Sequence, residues 1–248
     1  AYLIITESAW DRLQPVKVTL ICSSDNVQVI RSYFLEEIKE MLDGKIDTLH
    51  FDEAWLPHAT FHDFYGDYHA IGADRPRCKE SMVFSTQSTH KMLAGLSQAS
   101  QILVQDAEKH QLDRDVFNEA YLMHTSTSPQ YAIIASCDVA AAMMEAPGGT
   151  ALVEESIMEA LDFRRAMRKV DEEWGADWWF KVWGPDDLSE EGIEEREAWM
   201  LKTGDRWHGF GDLAKAFNML DPIKATIITP GLDVDGDFSD EFGIPAAI

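Results

Sequence analysis

Positive charge is scarce in this chain. Its 248 residues carry 21 Lys and Arg against 44 Asp and Glu, a formal net charge of −23. Nucleic-acid affinity depends on cationic side chains displacing phosphate counterions, so nucleic acid is an improbable partner. Anionic lipid is disfavoured on the same ground. Long apolar runs are missing too. A membrane-spanning helix needs about 20 apolar residues in a row, and the longest runs here, around Ala132–Ala135 and Ile223–Thr229, are strand-sized. No basic stretch precedes an apolar one at the start, so no secretory leader is expected. Cysteine is limited to Cys22, Cys78 and Cys137, an odd and widely spaced set. Neither a disulfide framework nor a zinc ribbon is indicated, and reduced thiols in a cytoplasmic protein are the simplest expectation.

What is present suffices for a packed core, since 46% of the residues are hydrophobic. The chain opens on Tyr2-Leu3-Ile4-Ile5-Thr6 and closes on Gly243-Ile244-Pro245-Ala246-Ala247-Ile248, both apolar, as a piece of a longer protein would. Period-two and short apolar segments predict strands at residues 2–6, 16–22, 46–51 and 81–85, around 178–183, and at 225–229. Helical spacing predicts helices over 32–42, ended by Asp43-Gly44, and from Met92 through Leu93, Leu96 and Ala99. Further helices are expected at 117–124, 131–146 and 154–173. Pro147-Gly148-Gly149 reads as a stop and as the likeliest boundary. Strands interleaved with helices indicate an α/β fold.

Two segments invite chemistry. Ser85-Thr86-Gln87-Ser88-Thr89-His90-Lys91 leads into a predicted helix. Hydroxyls and free amides at a helix start form an anion site, and a lysine held beside one can form a Schiff base with a carbonyl cofactor. An ordinary N-cap is the bland alternative. The run Phe51-Asp52-Glu53-Ala54-Trp55 places an acid at the C-terminal end of a strand, the edge where open α/β sheets bind ligands.

These two segments do not stand alone. Leu96-Ser97-Gln98-Ala99-Ser100, His124-Thr125-Ser126-Thr127-Ser128-Pro129, Trp207-His208-Gly209-Phe210, Leu220-Asp221-Pro222-Ile223-Lys224, Thr229-Pro230-Gly231 and Gly243-Ile244-Pro245-Ala246 follow in order. From about residue 36 to the end, this series resembles the bacterial lysine/arginine/ornithine decarboxylases, pyridoxal phosphate (PLP) enzymes of fold type I. The resemblance implies a partial aspartate-aminotransferase-like fold. Residues 1–147 would be the second half of the PLP-binding large domain, and 148–248 the start of the small α+β domain, incomplete at its C-terminus. Lys91 would carry PLP as a Schiff base. Asp52 would keep the pyridine nitrogen protonated, Ser88 would bind the phosphate, and His90 would stand beside the Schiff base as a proton donor. Ala54 and Trp55 would line the ring. Ser126 or Thr127 would approach from a neighbouring subunit of a homodimer or larger oligomer. The implied reaction is decarboxylation of a basic amino acid, lysine or arginine before ornithine. Asp233, with Asp235 behind it, would meet the distal cation of the substrate, although a solvated acidic turn explains both equally well.

Departures from the family are also visible. Only 51 residues precede Asp52, and neither a phosphate-binding loop nor a ring-stacking histidine is identifiable among them. Residues 8–34 do not follow the family pattern. A non-catalytic acidic oligomerisation fragment and an aminotransferase therefore remain alternatives. No metal site is expected. His58 and His62, with His69 nearby, have a metal-like spacing, but Pro57 and Gly66-Asp67 place them in a loop. Asp233-Val234-Asp235-Gly236-Asp237 lacks the glycine and glutamate that a calcium loop needs, having Phe238 and Ile244 instead.

Overall fold

The computed structural model describes residues 19–23, 25–26, 29–31, 35–66, 68–73, 75–178, 180–185, 188–189, 192–193, 195–205 and 218–228. The expected strand at residues 2–6 and the turn with Asp233 and Asp235 lie outside them. So do the runs 207–210, 229–231 and 243–246.

A mixed four-stranded sheet positions the site. Its strands are β1 (Thr19–Ser23), β4 (Thr48–Asp52), β5 (Met82–Gln87) and β6 (Gln101–Gln105), in the order β1-β4-β5-β6. The first two pairings are parallel and the last is antiparallel. Alternation along β4 buries Leu49 and Phe51 and turns Thr48, His50 and Asp52 to the other face. β5 does the same in register, burying Val83, Ser85 and Gln87, so that Thr86 stands opposite Asp52. Helix α1 (Leu35–Leu42) covers the buried face with Leu35 and Leu42 and stops where Gly44 adopts a φ of +75°.

Parallel neighbours are usually joined through a helix, but β4 and β5 are not. Among the described residues, their connection carries two 3₁₀ turns, Ala59–Phe61 and Asp63–Tyr65. Side chains hold it instead. Buried Lys39 of α1 donates to the carbonyls of Ala70 (2.9 Å) and Pro76 (3.0 Å) and to Gln105 Oε1 (3.1 Å). The Asp43 carboxylate accepts the backbone N–H groups of Lys79, Glu80 and Ser81 at 2.7–2.9 Å.

Three helices follow β6: α3 (Arg114–His124), α4 (Tyr131–Met144) and α5 (Gly148–Trp174). Val153, Ile157 and Leu161 of α5, at helical spacing, bury against Leu56, Tyr65 and Tyr68 of the connection and against Trp199 and Leu220. Two smaller sheets complete the described residues. One joins β2 (Asp25–Asn26), β3 (Val29–Arg31) and β8 (Asn218–Leu220). The other pairs β7 (Lys181–Trp183) with β9 (Thr226–Ile228).

Two expectations need correction. No helix runs from Met92 to Ala99: helix α2 is only Thr89–Met92, and Leu93 is already extended. Gly95 explains the turn back, because a Cβ there would stand 2.9 Å from Ala99 Cβ and 3.1 Å from Thr89 Cγ2. Ala99 recurs at helical spacing because it folds onto α2, and the residues after it form β6. The second correction concerns Pro147-Gly148-Gly149. It ends α4 but also begins α5, six residues before the predicted start. A Cβ on Gly149 would come within 2.6 Å of the Met144 carbonyl and 2.9 Å of Phe61 Cδ1, so this glycine marks a close contact.

Candidate active site

Asp52 ends β4 with one carboxylate oxygen accepting the Ala54 N–H at 3.2 Å, which turns the chain so that Trp55 follows. The Trp55 indole is where the site converges. Lys91 Nζ, from α2, lies 4.5 Å from its ring centroid, and Lys224 Nζ lies 5.7 Å from it. Beside Asp52, on the same face of the sheet, His50 Nε2 is hydrogen-bonded to Thr86 Oγ1. Burial holds the His50 imidazole below its ordinary pKa, and the Asp52 charge partly opposes that shift.

Ser88 caps α2 without spending its side chain on the cap, and the buried Thr89 Oγ1 has no hydrogen-bond partner among the described residues. Four residues make too short a helix to add a useful dipole to the anion site expected at its start; what the segment offers is free hydroxyls. His90 is fixed by the chain that turns back, since its Nδ1 and its backbone N–H both meet the Ala99 carbonyl, at 2.7 and 3.1 Å. A carbonyl only accepts, so Nδ1 carries the proton and a neutral ring keeps Nε2 as its basic nitrogen. Ser126 and Thr127 stand on the exposed α3–α4 loop, where Ser126 Oγ accepts the Ser128 N–H at 3.1 Å.

The residues fit a pyridoxal cofactor. A strand-end acid, a lysine against an indole, a free Ser88 hydroxyl and an orphaned buried Thr89 hydroxyl are gathered over four consecutive segments. Among the described residues no three His, Cys, Asp or Glu side chains form a cluster able to hold an ion. His58 packs edge-on to Tyr65, His62 Nδ1 accepts the Phe64 N–H, and His69 Nε2 accepts from Arg75 Nε.

Sequence reasoning missed two buried groups behind these residues. Glu53 is fully buried; Oε1 accepts the Ala70 N–H at 2.7 Å, and Oε2 accepts Ser85 Oγ at 2.6 Å and Gln87 Nε2 at 2.9 Å. Its phase with Leu49 and Phe51 was the available signal. The second group is Asp221, also fully buried, which accepts the Tyr65 hydroxyl at 2.6 Å, pairs with Lys224 at 3.2 Å and lies 3.8 Å from His58 Nε2. Burial pushes the His58 pKa down to about 4, against the pull of Asp221, and raises that of Tyr65. Buried Arg164 of α5 anchors the same turn by donating to the carbonyls of Pro222 (2.5 Å) and Lys224 (3.1 Å).

The Orn/Lys/Arg decarboxylase major domain matches residues 15–248. The chain belongs to the Orn/Lys/Arg decarboxylase family. It is 47% identical to lysine decarboxylase LdcA of Pseudomonas aeruginosa over 98% of its own length and 32% of the relative's. With the biodegradative arginine decarboxylase of Escherichia coli it shares 38% identity, over 92% of this chain and 32% of that one. The solved lysine decarboxylase A from Pseudomonas aeruginosa superposes with a TM-score of 0.77, covering 92% of this chain and 30% of that structure. The chain thus spans about a third of the length of the Orn/Lys/Arg decarboxylases it matches. Its mixed α/β sheet is a partial fold type I domain.

Proposed function

We propose that the protein carrying this chain is a PLP-dependent decarboxylase that converts lysine or arginine, in preference to ornithine, to the corresponding amine and CO₂. The observation that carries this reading is the convergence of Lys91 and the Asp52–Trp55 turn at one indole. When bound, the cofactor supplies a conjugated ring that takes up the electron pair left as CO₂ departs.

This chain's own residues do the rest. Lys91 would provide the amine that holds the cofactor. Asp52 holds a proton at the pyridine nitrogen, because a negative charge there favours the protonated ring. The His90 ring, fixed through Nδ1, presents Nε2 to carry a proton to the substrate Cα. Trp55 and Ala54 flatten and dry one wall, and Ser88 supplies a hydroxyl for the phosphate. Ser126 and Thr127, exposed on their loop, serve a second copy in a homo-oligomer. Asp233 and Asp235 are the proposed partners of the distal cation. Residues through 147 and those from 148 onward are assigned to the large and small domains of this cytoplasmic enzyme.

One observation favours a second reading for the chain taken alone. Helix α3 has no buried residue and exposes Val116, Tyr121 and Met123, as an oligomerisation piece without activity would. Borohydride trapping decides between them. The protein is mixed with PLP, reduced and digested, and the modified lysine is mapped by mass spectrometry. Selective labelling of Lys91 supports the decarboxylase reading, and labelling spread over surface lysines removes it for this chain.

A further inference from the structure

Two ammonium groups meet one indole, and the catalytic reading uses only one of them. The second, Lys224, is held from both ends. Its backbone carbonyl accepts from Arg164 and its N–H donates to the Asp221 carbonyl at 3.1 Å, while its side chain is ion-paired to the Asp221 carboxylate. Asp221 is itself immobilised by the Tyr65 hydroxyl and by the Ile223 N–H at 3.2 Å. The Lys224 side chain is 10% exposed, yet its Nζ makes no hydrogen bond of good geometry among the described residues. An ammonium has three donors. A buried cation that is fixed in place at the same indole as Lys91, with donors unspent, is built to receive an anion.

We propose that Lys224 takes the α-carboxylate of the amino-acid substrate, an inference that rests on the decarboxylase reading above. The substrate amine has to reach Lys91, and its carboxylate sits one carbon away, so an anion must enter the space around Trp55. Asp221 offsets most of the Lys224 charge. The carboxylate is then gripped by hydrogen-bond donors more than by net positive charge, and neutral CO₂ is free to leave. The product amine lacks the carboxylate and loses this contact, which favours its release. Lys224 thereby distinguishes substrate from product, whereas Lys91 and Asp52 act on the bonds that change.

The test uses the complete, cofactor-free protein, so that nothing turns over, and calorimetric titration with two matched pairs. These are lysine against 1,5-diaminopentane and arginine against agmatine, each product lacking only the carboxylate. Loss of a charge-assisted hydrogen bond corresponds to about tenfold or more in affinity. Lys224→Met is expected to weaken the preferred amino acid by at least that factor while leaving its amine unchanged, and Lys224→Arg to restore part of the difference. Because Lys224→Met strands the buried Asp221 charge, the double variant Asp221→Asn/Lys224→Met, checked by thermal melting, must show the same selective loss. Amino-acid binding that ignores Lys224, or equal weakening of both members of a pair, overturns the inference alone. A wild-type protein that binds no member of either pair and is not labelled at Lys91 overturns the decarboxylase reading with it.

Discussion

Replacing Glu53 tests how the site is held together. Among the described residues its two oxygens meet two N–H donors and one hydroxyl, so both oxygens serve as acceptors. In Glu53→Ala the donors fare differently. The Ala70 N–H cannot reorient, and Gln87 is pinned by accepting from Gln101 Nε2 at 2.7 Å, whereas the Ser85 hydroxyl can rotate. Two stranded donors at about 1–3 kcal/mol each, less what entering water recovers, put the loss near 3 kcal/mol. Glu53→Gln keeps the volume and one acceptor. Its amide nitrogen can donate to Ser85 Oγ but confronts Gln87 Nε2, so a single mismatch of about 1–2 kcal/mol is expected. Urea denaturation followed by near-ultraviolet circular dichroism measures both, and trapping at Lys91 reports whether the Asp52–Trp55 turn survives. If both variants stay within about 0.5 kcal/mol of wild type, the view of Glu53 as the anchor of that turn is wrong.

Two further outcomes follow from the geometry. His58 takes up its proton near pH 6.5 when unfolded but only at about 4 when folded. The unfolded chain therefore binds more protons in that window, so the His58 contribution is intact above about pH 6.5 and falls, by up to about 3 kcal/mol, as pH drops toward 4. Denaturation midpoints across that range should slope accordingly, and an unchanged slope in His58→Phe would rule out His58 as the cause. Gly95→Ala should destabilise by about 1–3 kcal/mol through overpacking against Ala99 and Thr89; a wild-type melting temperature would show that the turn after Lys91 has room to spare.

The sequence was readable where one physical signal dominated. β4 and β5 announced themselves through alternation and α5 through its amphipathic period, while α3 and α4 were expected on composition, to within a few residues at most ends. Residues 92–99 misled because Leu93, Leu96 and Ala99 repeat at a helical interval, while a single glycine contact reverses the chain. Motif order singled out Asp52, Trp55 and Lys91, of which the structure brings Lys91 over the Trp55 ring, and Glu53 could have been read from its phase with Leu49 and Phe51. The Asp221 cluster could not. Tyr65 and Asp221 are 156 residues apart, and no local pattern announces a bond across that distance.

The connection between β4 and β5 has a practical consequence for anyone who inserts tags or permutes the chain. Lys39 grips it at Ala70 and Pro76, Glu53 grips it at Ala70, and Asp43 clamps residues 79–81. Adding or deleting one residue between Ala70 and Ser81 would throw one clamp out of step with the others and slide β5 against β4, moving Thr86 away from Asp52. The α3–α4 loop, exposed along its length, has no such gauge. The stretch that looks most like an ordinary loop is the one whose length is set to the single residue.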